Sequence, residues 1–198
     1  GRALGSPVPF IDGLRRFLHE AKGKRLRPAL AVLFFKLLGE RGQRDGLLRL
    51  AAVVELIHLA TLVHDDVIDQ AEQRRGQRAL HVQTSNQIAV LEGDYLFVQV
   101  FKEINGFPKP VRALVIDTVE RILEGELLQE SLRGRVPGEA DYDAVVAGKT
   151  AALIACACEL GARFGDPDLP GARLDQVRRA GVQIGHALQR IDDLLDVF

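Results

Sequence analysis

Residues 47–69 read LLRLAAVVELIHLATLVHDDVID, and this stretch decides the fold. Its apolar residues recur at helical spacing, so the sequence predicts a long helix with several packed sides. The helix ends in Asp65, Asp66 and Asp69. Positions i, i+1 and i+4 share one side of a helix, where like charges repel, and the end of a helix is already its negative pole. A bound cation would relieve this repulsion; a solvated acidic helix end is the alternative.

A second copy of the motif changes the balance between these interpretations. Asp192, Asp193 and Asp196 have the same spacing and again lie at the end of a helical pattern, over residues 174–196. Two copies in one chain favour a paired site.

The ligand chemistry of both motifs favours magnesium. Neither is accompanied by Cys or clustered His, so the donors are oxygens, which suit a hard cation. Magnesium usually takes one or two carboxylates and completes its shell with water and phosphate oxygens. The motifs therefore predict Mg²⁺ and a phosphorylated substrate, with a diphosphate held between them if they face each other. The predicted metal-binding residues are Asp65, Asp66, Asp69, Asp192, Asp193 and Asp196.

The remaining chain also has helical patterns and no convincing period-two segment. Gly148 interrupts one pattern and predicts a kink that directs Lys149 and Thr150 away from regular packing. We predict an all-α fold, an antiparallel bundle around a central apolar cavity, in a single domain over residues 1–198. The other predicted helices are 10–21, 28–38, 87–105, 111–132 and 143–164, with turns at 39–46, 136–141 and 165–171.

Composition limits the class of protein. With 26 Lys+Arg against 27 Asp+Glu, the net charge is −1, and no global field favours a nucleic acid or an anionic membrane as partner. Cys156 and Cys158 lie on different sides of a helix and are expected to be free thiols in a reducing compartment. With no apolar leader, and with Lys36 interrupting the run 29–38, we expect a cytoplasmic protein without stable membrane insertion.

Several cationic residues are candidates for anion binding. The segment 23–28, GKRLRP, is either an anion-binding corner or a solvated basic turn. His58 lies two helical turns before Asp65 on the same face and is either a ligand or a satisfied core residue. Arg74 and Lys149 could contact the diphosphate directly. A second set is available for a second anionic substrate and consists of Lys24, Arg27, His58 and Arg75.

The predicted chemistry is heterolysis of a carbon–oxygen bond or attack at phosphorus. Neutralising a diphosphate makes it a leaving group, and no Ser-His or Cys-His nucleophile accompanies the motifs. Apolar walls behind the acidic faces suit an alkyl chain better than a nucleoside.

The order of these motifs resembles the trans-isoprenyl diphosphate synthase (polyprenyl synthetase) family over nearly the whole chain. The matching segments are 23–28 GKRLRP, 55–58 ELIH, 64–69 HDDVID, 74–76 RRG, 93–95 GDY, 148–151 GKTA and 189–196 QRIDDLLD. The resemblance implies an all-α homodimer in which two Asp-rich helices face each other. It also implies that an allylic diphosphate is elongated with isopentenyl diphosphate.

The resemblance assigns roles by position. It implies Asp65, Asp69 and Asp192 as magnesium ligands, supported by Asp66, Asp193 and Asp196. It implies that the allylic diphosphate is contacted by Arg74, Lys149 and Gln189, with Thr150 beside Lys149. Isopentenyl diphosphate would be held without metal by Lys24, Arg27, His58 and Arg75. In the implied reaction, the departing diphosphate accepts the proton, so no protein base is required.

The resemblance also implies that product length depends on Ala60 and Thr61, just before the first acidic motif. In that family, side chains at these positions shape the floor of the tunnel that receives the growing chain, and the small ones here imply an open floor, as in long-chain synthases of the quinone side-chain type. The alternatives are a geranylgeranyl- or farnesyl-type synthase, a non-catalytic subunit of a heteromeric synthase, a class I terpene cyclase, or an all-α nucleotide diphosphate hydrolase. Because family members continue past the second motif, we expect a natural chain longer than 198 residues.

Overall fold

The structure is a computed structural model that describes Leu14, residues 23–74 and residues 76–197. Among these residues, regular structure is helical apart from one short ladder, which confirms the all-α class. The predicted helix at 10–21 lies outside the described residues except for Leu14, which is helical and fully buried.

The described elements follow the predicted order, and most helices begin earlier than the apolar pattern does. We label them α1 (Leu26–Leu37), α2 (Arg44–Ile68), β1 (Gln73–Arg74), β2 (Gln77–Arg78), α3 (Leu80–Gln83), α4 (Asn86–Ile104), α5 (Lys109–Ser131), α6 (Glu139–Val146), the π-turn (Ala147–Ala151), α7 (Ala152–Gly165) and α8 (Gly171–Val197). Helices α1, α2, α5 and α8 start two or three residues before their predicted positions. Their first turns are polar or exposed and so leave no periodic apolar signal.

Three local predictions were wrong. Residues 73–74 and 77–78 form an antiparallel ladder that is too short for a period-two pattern, with Gly76 in the left-handed region between its strands. Helix α3 is a single turn that was not predicted. Helix α6 begins inside the segment 136–141, which was predicted as a turn. At Gly148 the interruption takes the form of a π-helical turn.

One compact unit comprises residues 55–103 together with Leu14 and residues 23–25. It contains the second half of α2, the ladder, α3 and most of α4. Its apolar core is made of buried side chains from these elements: Leu14, Leu59, Ala60, Val63, Leu80, Ala89 and Leu96.

The other compact unit comprises residues 26–54 and 104–197. In it α7 packs against both α1 and α8, with Leu30, Ile154 and Cys158 buried together. Glu159, only 1% exposed, joins α7 to α8 because Arg178 donates to it at 2.9 Å. This contact raises the pKa of the Arg178 guanidinium.

The two cysteines are buried free thiols on α7, which agrees with the prediction. Burial raises the pKa of both Cys156 and Cys158 to about 12. Thiols with such pKa values are poor nucleophiles at neutral pH.

Two helical stretches, Arg44–Ile68 and Glu139–Gly165, are long and apolar enough to cross a membrane by length and composition alone. More than half of the apolar window in each is buried inside the fold. Both stretches therefore have the burial expected of core helices.

Candidate active site

The first acidic segment forms the carboxyl end of α2. Asp65 is 8% exposed, whereas Asp69, one residue past the helix, is exposed. The backbone amide of Asp69 still donates to the carbonyl oxygen of Asp65 at 2.8 Å, so the helical geometry continues through the motif. Gln70 then adopts a φ of 52°, in the left-handed region, and ends the helix.

Asp66 points away from solvent and is held by Arg74 of β1. Its carboxylate is 2% exposed. Two nitrogens of Arg74, Nε and Nη2, each lie 2.6 Å from Oδ1 of Asp66. A buried carboxylate needs such a partner, since breaking a buried ion pair leaves an uncompensated charge. Two groups that the sequence assigned to metal and diphosphate are thus paired with each other.

His64 is packed against α4 through a glycine. Its Nε2 lies 3.1 Å from the carbonyl oxygen of Val90, which makes Nε2 the donor, and 3.6 Å from Asp94. Its ring is also 6.0 Å from that of Phe97. A Cβ at position 93 would collide with the imidazole, so only Gly93 allows this approach.

The predicted basic set is only partly described. Lys24 is exposed, and its neighbour Arg25 has a φ of 49° and donates to Glu55 of α2 at 2.8 Å. His58 is half-buried, and its carbonyl oxygen accepts a hydrogen bond from Thr61 at 2.9 Å. Arg27 is half-buried on α1 in the other unit, and Arg75 lies outside the described residues.

The second acidic segment belongs to a continuous hydrogen-bonded chain. The hydroxyl of Thr150 donates to Oε1 of Gln189 at 2.7 Å, and Nε2 of Gln189 donates to Oδ1 of Asp193 at 2.8 Å. Tyr142 donates to the other oxygen, Oδ2, at 2.5 Å. Asp192 is exposed beside this chain. Asp196 is in α8, but its side chain is outside the described part of the structure.

Lys149 is presented by the π-turn, which packs closely on α5. A Cβ at position 125 would lie 2.6 Å from the backbone nitrogen of Lys149, and one at position 148 would lie 2.9 Å from the carbonyl oxygen of Arg121. Only glycines allow this approach. The ammonium group of Lys149 lies 2.8 Å from Oε2 of Glu126.

Two residues of this site, Tyr142 and Glu126, were not predicted from the sequence. Tyr142 lies seven residues, or about two helical turns, before Lys149. His58 was predicted from the same spacing before Asp65, so the sequence contained a comparable signal for Tyr142. No comparable signal indicates Glu126.

The donor chemistry fits magnesium that is completed by a substrate. In the described part of the chain, no group of three or more His, Cys, Asp or Glu side chains could hold a metal ion. Magnesium does not need such a cage, because it binds through one or two carboxylates and takes its remaining ligands from water and phosphate. Asp69 and Asp192 are exposed carboxylates, and Asp65, one helical turn before Asp69, is 8% exposed.

Together, the fold and these residues define an all-α protein with two acidic helix ends and a lysine-bearing π-turn. The pattern of the polyprenyl synthetase family matches residues 9–198, so the chain belongs to this family.

The chain is similar to relatives of different product length. It is 39% identical over 186 residues to a short chain isoprenyl diphosphate synthase of Methanothermobacter thermautotrophicus, covering 89% of this chain and 55% of that protein. It is 33% identical over 198 residues to the octaprenyl diphosphate synthase of Escherichia coli, covering 98% of this chain and 59% of the relative. The chain therefore spans between half and two thirds of the length of these relatives.

A solved structure supports the fold. The polyprenyl synthase of Caulobacter crescentus, complexed with calcium and isoprenyl diphosphate, matches with a TM-score of 0.89 and 36% identity. The match covers 98% of this chain and 58% of that one.

Proposed function

We propose that the chain belongs to a prenyltransferase that condenses isopentenyl diphosphate head-to-tail with an allylic diphosphate to make a trans-polyprenyl diphosphate. The observation that carries the proposal is the hydrogen-bonded chain from Thr150 through Gln189 to Asp193, which joins the π-turn to α8. The chain supplies a hydroxyl, an amide and a carboxylate, and Lys149, the residue before Thr150, supplies a cation from the same turn. Family membership over residues 9–198 supports treating both units as one synthase domain.

The acidic segments are proposed to bind Mg²⁺. Asp65, Asp69 and Asp192 would be the ligands, and the three neighbouring aspartates of the motifs, Asp66, Asp193 and Asp196, would support them. When bound, the metal neutralises the diphosphate and makes it a better leaving group. The paired states of Asp66 and Asp193 agree with supporting roles, because their oxygens already accept hydrogen bonds.

The cationic residues are proposed to orient the two substrates. Lys149, with Thr150 and Gln189, would bind the allylic diphosphate, and Arg74 would do so from β1. Transfer of Lys149 from Glu126 to the diphosphate exchanges one ion pair for another, so its charge is never left unpaired. The residues assigned to isopentenyl diphosphate are Lys24, Arg27, His58 and Arg75. The new carbon–carbon bond forms as the carbon–oxygen bond of the allylic diphosphate breaks, and the released diphosphate takes the proton.

We propose a long-chain product of the quinone side-chain type. Ala60 is fully buried in the apolar core of its unit. The hydroxyl of Thr61 donates a hydrogen bond to the carbonyl oxygen of His58. Both side chains are small and present no polar group to an alkyl chain. A geranylgeranyl- or farnesyl-type product is the alternative.

We further propose a cytoplasmic homodimer. Helix α4 exposes a stripe of large apolar side chains, and so does α5. Surfaces of this kind on a folded protein usually mark an interface. The residues are Val90, Leu91, Val98 and Phe101 on α4, and Ile116, Leu123 and Leu127 on α5.

The test is incubation of the full-length protein with labelled isopentenyl diphosphate and allylic primers of increasing length, with and without Mg²⁺, followed by product sizing. We expect elongation only with Mg²⁺. The variants Asp65→Ala and Asp192→Ala should lose activity by more than about 100-fold, because each removes a ligand of the diphosphate-neutralising metal.

The matched control is Asp117→Ala, which removes an exposed carboxylate on α5 and should retain parental activity. No condensation with any primer would overturn the proposal. Turnover of an allylic diphosphate without isopentenyl diphosphate would indicate a terpene cyclase, and release of phosphate from nucleotides would indicate a hydrolase.

A further inference from the structure

Tyr142 makes a short contact with the second acidic segment. Its hydroxyl donates to Oδ2 of Asp193 at 2.5 Å, while Gln189 donates to Oδ1 at 2.8 Å. Each oxygen of Asp193 is therefore held by a different donor. A carboxylate held at both oxygens is fixed in rotation as well as in position.

The contact is charge-assisted, because a neutral phenol donates to a carboxylate. Hydrogen bonds of this class are stronger than those between two neutral groups.

The helix that carries Tyr142 is itself fixed on α8. The next residue, Asp143, accepts from Arg190 at 3.0 Å and lies 3.7 Å from His186. Consecutive side chains of α6 thus contact three positions along the last turns of α8. This places Tyr142 on a rigid element, which is what a group that orients another side chain requires.

We propose that Tyr142 is a positioning residue of the second acidic segment, which holds Asp193 so that the carboxylates at 192 and 193 are set for a divalent cation. The inference rests on the metal-binding role in the proposed function, and it adds a residue and a donor that the acidic motif does not contain. Partners that orient ligand groups in this way typically contribute about 10- to 100-fold to metal affinity.

The test uses Tyr142→Phe, which keeps the ring and removes only the hydroxyl. Binding of Mn²⁺ to the full-length protein is followed by electron paramagnetic resonance, in the presence of inorganic pyrophosphate. We expect the apparent Kd to rise about tenfold. In the condensation assay, the Mg²⁺ concentration for half-maximal rate should rise in parallel, while KM for isopentenyl diphosphate stays unchanged. A purely structural role would not produce this split.

The matched control is Tyr95→Phe, because Tyr142 and Tyr95 are the two tyrosines of the sequence. It should leave the Mn²⁺ affinity at the parental value. A Tyr142→Phe protein with unchanged Kd for Mn²⁺ would overturn the inference, whatever its activity.

A second measurement follows Tyr142 directly. With 3-fluorotyrosine in the protein, the resonance that disappears in Tyr142→Phe belongs to Tyr142, and it should shift on addition of Mg²⁺ and pyrophosphate. An unshifted resonance contradicts the inference. If Mn²⁺ binding depends on Tyr142 but no prenyl product forms, the proposed function fails and the inference stands. If product forms but Mn²⁺ binding does not depend on Tyr142, the inference fails and the proposed function stands.

Discussion

Ala60 is the residue whose volume we expect to set product length. It is fully buried on α2, among Leu59, Val63 and side chains from α3 and α4. We predict that Ala60→Phe shortens the main product by at least one isoprene unit, because the ring occupies space that the growing chain would use. The product is sized after extraction from the condensation assay.

The control for this change is Ala51→Phe, since Ala51 is also buried on α2, nine residues earlier. Both substitutions overfill a packed region at a cost of about 1–3 kcal/mol. Only the change at position 60 should alter product length. Equal lengths for Ala60→Phe and the parent would exclude the predicted role.

Glu92 is a residue that the sequence analysis passed over and the structure singles out. It lies on the buried side of α4, is 5% exposed, and neither of its carboxylate oxygens has a hydrogen-bond partner in the described structure. Helical spacing places it on the same side as Ala89 and Leu96, which belong to the apolar core. Burial raises its pKa from 4.5 to about 7.

This shift predicts a loss of stability as pH rises. The folded state favours protonated Glu92. The contribution of Glu92 to the free energy of unfolding is therefore fully present below pH 4.5 and is lost as pH rises through about 7. At about 1.4 kcal/mol per unit of pKa, the loss amounts to about 3 kcal/mol. The free energy of unfolding of the parent minus that of Glu92→Gln should fall by this amount between pH 4.5 and pH 8, measured by urea denaturation.

A matched control is available on α5. Glu120 is exposed, so the same difference for Glu120→Gln should be nearly independent of pH. If the difference for Glu92→Gln is also independent of pH, the pKa of Glu92 is not raised in the folded protein, and the prediction is wrong.

At the scale of elements, the contact between α5 and the π-turn is the one that directs Lys149. A Cβ at Gly125 would lie 2.6 Å from the nitrogen of Lys149 and 2.9 Å from the carbonyl carbon of Gly148. Backbone atoms cannot rotate away as a flexible side chain can. The π-turn would therefore have to move as a whole.

We predict that Gly125→Ala lowers kcat/KM for the allylic diphosphate by about tenfold or more, since small misplacements of binding groups can cost about 100-fold. The free energy of unfolding should fall by about 1–3 kcal/mol. Steady-state kinetics and thermal unfolding measure the two effects. Gly171→Ala, where a Cβ meets nothing within 4 Å, should change neither. An active Gly125→Ala enzyme would show that the close approach does not position Lys149.

At the scale of the whole molecule, the exposed apolar stripes predict self-association. Leu127 lies at the end of the stripe on α5, and its side chain is 72% exposed. Contiguous exposed apolar side chains of this kind usually mark an interface. We predict that Leu127→Glu converts a dimer into a monomer, because it places a charge in an apolar interface. Light scattering after size exclusion measures the mass.

The comparison variant is Val136→Glu, which introduces the same charge at an exposed apolar residue between α5 and α6. It should remain dimeric. A parental protein that is monomeric at all concentrations would contradict the proposed homodimer.

The sequence by itself determined the long helices and the two acidic segments. Helical periodicity is local, and the Asp65 and Asp192 motifs are defined by spacing within one or two turns. Only the tertiary structure decided the partners of these groups. Tyr142 reaches Asp193 across 51 positions of sequence, and Glu126 reaches Lys149 across 23. Such contacts depend on how helices pack, as does the unpartnered burial of Glu92, and no local pattern encodes them.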